Sequence, residues 1–218
     1  MEKAKARNRT GFRRRLVSVA VLGLIVAVTS ASSAPQGKPR PMTATAESRL
    51  VDGMPSSWVD LRAPGVELRW LVGGNWLMAE RFGPELSYEF RHHILTSLRM
   101  QLFFYPAGSG LSDFSQSSIK AYLNGLPAEF PESRIKVSNF DSMQPEPGGL
   151  PFLNGNYRKL FFRVEPLVPG SGESRSVCEA LTFTSSGGLL RLRVIGSESE
   201  VAPIRANFET ELGRFIEP

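Results

Sequence analysis

The chain has 218 residues, 41% hydrophobic and 10% aromatic, enough for a packed core, which excludes wholesale disorder. A single Cys excludes an intrachain disulfide framework and any Cys-cluster metal site, and two His leave little for metal chemistry. The net charge of +5 sits at the front: residues 1–34 carry seven Lys and Arg against Glu2, and the remaining 19 basic and 20 acidic residues nearly cancel, so the clustered cationic face that nucleic-acid backbones require is missing and no nucleic-acid partner is expected.

Behind Arg13, Arg14 and Arg15 comes an apolar run over residues 16–28, then the small residues Ser30, Ala31, Ser32, Ser33 and Ala34. A cationic start, a short greasy middle and a small-residue end make an export signal over 1–34. Thr29-Ser30-Ala31 and Ala31-Ser32-Ser33 offer cleavage windows. The alternative is an uncleaved membrane anchor over 16–33, a stretch that reaches the lower limit of about 17 residues for a span only by counting its Thr and Ser. In both cases the positive-inside rule keeps the arginines in the cytoplasm and sends the rest across, to the periplasm or the extracellular space. The run Phe12-Arg13-Arg14-Arg15-Leu16-Val17 fits a loose twin-arginine pattern, which a plain basic start also explains. With no Cys near the end of the apolar run, a lipoprotein is excluded.

Residues 35–57 are dominated by Pro, Ser, Thr, Ala and Gly and read as a flexible linker. A single α+β domain is expected over 58–218. Residues 66–72 alternate with period two around Leu68 and Trp70, a strand with one buried face. Gly73-Gly74-Asn75 reads as a turn and 76–82 as a second strand; 85–90 is ambiguous. Residues 94–105 read as a long strand with Leu98, Met100, Leu102 and Phe104 on one face. A helix is predicted over 112–124, started by Ser112, striped by Ile119, Tyr122 and Leu123, and stopped at Gly125. Strands follow over 134–143, 156–164, 174–184 and 189–195, the last two joined by the hairpin signal Ser185-Ser186-Gly187-Gly188. Ser197 and Glu200 make a capping box, and Val201, Ile204, Phe208, Leu212 and Phe215 recur at helical spacing, predicting a closing helix over 201–216. Strands joined by short turns give an antiparallel sheet, and two amphipathic helices must cover it.

This order of elements resembles the Mog1/PsbP-like fold family over about residues 60–218. The resemblance rests on the aromatic turn Gly74-Asn75-Trp76, the long strand before the 112–124 helix, the late hairpin, and the Phe208, Leu212, Phe215 run. Many members have Pro shortly before the early Trp, where this chain has Gly-Gly-Asn. The resemblance implies an antiparallel sheet flanked by helices, an α/β/α sandwich. It includes photosystem accessory proteins, a Ran-binding protein and exported bacterial proteins, so it implies no activity and supplies no functional residues.

Candidate chemistry is sparse. His92 and His93 are adjacent, so on a strand they point to opposite faces and cannot easily chelate one ion. Cys178 beside Glu179 reads as a small buried residue rather than a nucleophile. No nucleophile elbow, phosphate loop or dinucleotide fingerprint is present, and no cofactor is expected. The remaining signal is a charged stripe at alternate strand positions: Glu67 and Arg69, Arg163 and Glu165, Arg191 and Arg193. If those strands are neighbours, Arg69, Arg163, Arg191 and Arg193 share a ligand face; otherwise the stripe is a solvated surface with weak cross-strand ion pairs. The expected role is a non-catalytic accessory or binding protein outside the cytosol, with an envelope hydrolase or a membrane-tethered subunit of an envelope complex as the alternatives. Its partner is then an envelope protein or small ligand, with membrane contact only through the N-terminal segment.

Overall fold

A computed structural model describes residues 37–51, 54–71, 76–79, 86–109, 111–143, 157–208 and 214–218. The predicted export segment and the Gly73-Gly74-Asn75 turn lie outside the described residues, among which no helix is long and apolar enough to cross a membrane.

In chain order the elements are β1 (Thr43–Val51), β2 (Met54–Ala63), β3 (Val66–Leu71), β4 (Trp76–Met78), β5 (Tyr88–His92), β6 (Arg99–Tyr105), α1 (Gln116–Glu129), β7 (Ser133–Met143), β8 (Tyr157–Pro166), β9 (Arg175–Phe183), β10 (Leu189–Gly196), α2 (Glu198–Ala206) and β11 (Arg214–Ile216). They make two antiparallel sheets. One runs β1-β2-β3-β11 and the other β4-β5-β6-β10-β9-β8-β7. This is an α+β fold of two sheets and two helices, where one sheet was expected.

The extra sheet comes from segments that sequence reasoning placed elsewhere. The expected linker over 35–57 is a correction: β1 pairs with β2 from Thr43↔Arg62 to Val51↔Met54. Its Thr, Val and Leu residues are strand formers once a partner strand is present, and Met42 is buried just before it, its N–H donating to Ser87 O at 3.0 Å. The closing helix is the second correction. α2 ends at Ala206, and residues 214–216 form β11 against β3, with Phe215 stacked on Trp70 at 5.4 Å and 11° between rings. Phe215 fits both a helical stripe and a strand, and the aromatic stack across strands decides for the strand. At the other end of α2 the Glu200 carboxylate accepts from the Ser197 N–H at 3.0 Å and the Ser197 hydroxyl at 2.7 Å, as the capping box predicts.

The first helix is shifted rather than lost. Asp113 Oδ1 takes the Ser115 N–H at 2.8 Å, Ser115 is the N-cap in place of Ser112, and Gly125 lies buried inside the helix. Burial of Tyr122 and Leu126 on the sheet outweighs the local preference of Gly125 to stop it. The long strand expected over 94–105 begins only at Arg99, because the His92 ring and the Leu98 N–H tie residues 92–98 into a turn.

Two cores result. On one side of the seven-stranded sheet, Met100, Leu102, Leu190, Leu192 and Val194 pack with α2 (Val201, Ile204) and with Leu61, Leu68 and Trp70 of the four-stranded sheet. On the other side, Phe103, Tyr105, Phe162, Val177 and Leu181 pack with Tyr122 and Leu126 of α1. β10 runs through the middle and is buried at every position. Any side chain on its α1 side must therefore be apolar or paired, and two of its residues there are arginines.

Candidate functional site

Arg191 and Arg193 lie on the α1 side of β10, between Leu189 and Ile195, and are only 2% and 4% exposed. The register sets Arg193 beside Glu179 of β9 and Gln101 of β6, and Arg191 beside Phe103. The last turns of α1 lower Tyr122 and Glu129 onto the pair. Arg193 Nε donates to Glu179 Oε1 at 2.7 Å, and Arg193 Nη2 to Glu129 Oε2 at 2.7 Å. Arg191 Nη1 donates to Glu129 Oε1 at 2.7 Å. Glu129 thus bridges the two guanidinium groups with one oxygen each. The Tyr122 hydroxyl donates to Glu179 Oε2. Arg191 Nε, 3.7 Å from Glu179 Oε1, is buried without a hydrogen-bond partner. Phe103 lies under the Arg191 guanidinium at 4.0 Å, and the Phe130 ring is 5.0 Å from that of Arg193.

The cluster fixes its own protonation. Burial alone would raise the Glu129 carboxyl, but Arg191 and Arg193 outweigh it and hold it at about 2. Burial opposes charge on Arg191 and Arg193, yet the surrounding anionic groups push both above the ordinary arginine value. Burial, with Glu179 adding to it, pushes the Tyr122 phenol well above its ordinary value, and burial raises Tyr105. Each of these displaced groups moves away from neutrality, so none of them is tuned to exchange a proton near pH 7.

The arginines form the floor of a cleft of about 1380 Å³. One wall is the end of α1, with Glu129 and Phe130; another is the segment from β8 to β9, with Leu167, Val168 and Arg175; Lys38 and Pro39, where the chain enters the fold, make a third.

Of the four arginines predicted to share a ligand face, the structure brings together two. Arg69 belongs to the other sheet, in a two-pronged pair with Asp60 (Nε to Oδ1 2.7 Å, Nη2 to Oδ2 3.1 Å). Arg163 faces the α2 side of the seven-stranded sheet, because its neighbours Phe162 and Val164 fill the α1-side core. There it lines a second groove of about 470 Å³ with Lys136 and Arg205. The single shared face is therefore corrected to a buried arginine pair and two separate residues. A solvated surface does not describe Arg191 and Arg193 either. Sequence reasoning does not single out Glu129, and it takes Glu179 only as the neighbour of Cys178 and Tyr122 only as part of a helix stripe. The available signal was Arg-x-Arg inside the otherwise apolar run 189–195, which demands buried counter-charges.

His92 and His93 diverge as expected. His92 is buried, its Nδ1 accepting the N–H groups of Ile94 at 3.2 Å and Leu95 at 3.0 Å, and His93 is exposed. Among the described residues no group of three or more His, Cys, Asp or Glu is placed to hold a metal ion. Cys178 is fully buried in the α2-side core, and burial pushes its thiol up to about 12. In native buffer near pH 8, Cys178 resists a thiol-reactive disulfide reagent for as long as the fold persists, and it reacts stoichiometrically in denaturant. Rapid reaction of the native chain would show that the strand opens locally.

The fold and the buried cluster define an α+β protein with an open cleft against a seven-stranded antiparallel sheet. Among solved structures, it is similar to the solution structure of cyanobacterial PsbP (CyanoP) from Synechocystis sp. PCC 6803, at 17% identity and a TM-score of 0.48, over 69% of this chain and 86% of that chain. That structure is of the PsbP-like kind that the order of elements resembles, and the likeness is one of fold alone. No family model matches the sequence, and no curated protein does.

Proposed function

We propose that this chain is an exported, non-catalytic accessory or binding protein of the cell envelope that holds its partner in the cleft beside α1. The observation that carries this reading is that the acid and base candidates of the cleft floor are already taken up. Glu129 is spent on two arginines, Tyr122 on Glu179, and the displaced titrations all lie far from neutral pH. Such a floor recognises a ligand by position and charge and is poorly suited to general acid–base chemistry. Residues 1–34 act as a signal peptide or anchor, and the helices flank the seven-stranded sheet as an α/β/α sandwich with the four-stranded sheet added on the α2 side. A tethered subunit of an envelope complex is the second reading, favoured by the exposed pair Leu167 and Val168 on the cleft rim.

The test is fractionation of cells carrying the tagged full chain, followed by crosslinking and mass spectrometry of what it holds. The expected result is recovery outside the cytosol with a bound species that Val168→Asp releases. A cytosolic chain sinks the export reading. A bound species indifferent to Val168→Asp sinks the cleft as its site, and turnover of envelope material by the purified chain would replace the reading with a hydrolase.

A further inference from the structure

We propose that the cleft mouth is a membrane-facing surface that seats the phosphodiester headgroup of an anionic phospholipid. The inference rests on the export reading, with residues 16–33 retained as an anchor, and deepens it by naming what the cleft meets.

The first observation is where the chain enters the fold. The Gly37 N–H donates to Ser109 O at 3.1 Å, and Gly37, Lys38 and Pro39 line the cleft. Ser33, the last residue of the candidate anchor over 16–33, stands four residues earlier, and the apolar run itself ends at Val28. Four residues reach at most about 14 Å when fully extended. With β1 and β2 folded, the stretch of sequence between a retained anchor and the cleft lining is short.

The second is charge. Lys38, Arg99, Arg175, Arg191 and Arg193 line the cleft against Glu129, Glu132 and Glu173. Of these carboxylates Glu129 is already bridged between the two buried arginines. Arg191 donates through Nη1 alone and Arg193 through Nε and Nη2, so Arg191 Nη2 and Arg193 Nη1 have no partner among the described residues, and Arg191 Nε is buried without one. Guanidinium groups with spare N–H donors in a partly dry floor suit a phosphate oxygen.

The third is the apolar rim. Leu167 and Val168 are adjacent, 52% and 63% exposed, and line the same cleft as the cations. Apolar side chains beside basic ones are what an interfacial contact uses, the former entering the acyl boundary and the latter the anionic surface.

The test uses the full chain reconstituted into vesicles of phosphatidylcholine alone or mixed with phosphatidylglycerol. A Val168→Cys variant carries an environment-sensitive maleimide label, with Cys178 left buried and unlabelled. The expected result is a blue shift, with quenching by brominated lipid, on the phosphatidylglycerol vesicles only, reversed by high salt. The shift is lost in a Lys38→Glu, Arg175→Glu background, both positions being exposed. The same label at Glu67→Cys, on the four-stranded sheet, stays in water, and free glycerophosphate does not reproduce the shift. Equal emission on both vesicles, an equal shift at position 67, or persistence in the charge-reversed background overturns the proposal. Because the chain is supplied purified, a cytosolic location with a positive vesicle result sinks the export reading alone, and an exported chain with no shift sinks this one alone.

Discussion

Replacing Glu179 by Leu lowers the unfolding free energy by about 3–5 kcal/mol, the range for removing one partner from a buried charge pair. Glu179 is 0% exposed and accepts from Arg193 Nε and from the Tyr122 hydroxyl. Without it, Arg193 keeps only Glu129, and a cation more than nine-tenths buried loses one of its two counter-charges, each at 2.7 Å. Leu fills the volume, so the loss measures charge and not a cavity. At roughly 2–4 °C per kcal/mol for a domain of this size, the melting temperature falls by about 10 °C. Glu179→Gln loses less, because its amide oxygen still accepts one hydrogen bond. The double variant Glu179→Leu, Arg193→Leu recovers much of the loss, since both members of the pair are then gone. Urea unfolding of the four chains decides. A single-variant loss below about 1 kcal/mol would mean that water reaches the cluster and screens it as it screens a surface pair.

The same cluster marks the limit of what could be read from the chain. The late hairpin, the alternation of 66–72 and 156–164, and the start of α2 follow from local chemistry: period-two hydrophobicity, Gly187 at φ 78° in its turn, and Glu200 reaching back to Ser197. Three features are not local. β1 lies in a Thr- and Ala-rich stretch that becomes strand only because β2 returns beside it. β11 sits at the end of a helical stripe, and its fate depends on Trp70, more than 140 residues earlier in the chain. Phase between strands also escapes a single sequence. Odd-numbered residues of β10 face α1, whereas even-numbered residues of β8 do, and so Arg163 and Arg193, both at alternating positions, end on opposite faces. A stripe of charge is therefore legible as a stripe, but its burial and its partners depend on the register of neighbouring strands.

Acid unfolding isolates the second half of the cluster. The Glu129 carboxyl lies at about 2 in the folded chain against an ordinary 4.5, because Arg191 and Arg193 overcome its burial. Its folded value is depressed, so its contribution is complete above about pH 4.5 and drains away as pH falls toward 2, where the folded carboxylate at last takes up a proton. A displacement of this size corresponds to on the order of 3 kcal/mol. Asp113, held at about 2 by hydrogen bonds from Ser115 and Ser118, and Glu165 and Glu200, held low by Lys136 and by Ser97 and Ser197, slope the same way. Asp113 is exposed, and Glu165 and Glu200 lie half-buried at the surface, where solvent screens them, so each adds little. Glu129→Gln separates the terms. The variant is less stable than the parent at pH 7, because two buried arginines lose an anion, and its stability curve is nearly flat where the parent falls. The two curves converge near pH 2. Parallel curves across that range would show that the arginines do not hold Glu129 ionised, and the argument for a cleft floor locked in fixed charge states would go with them.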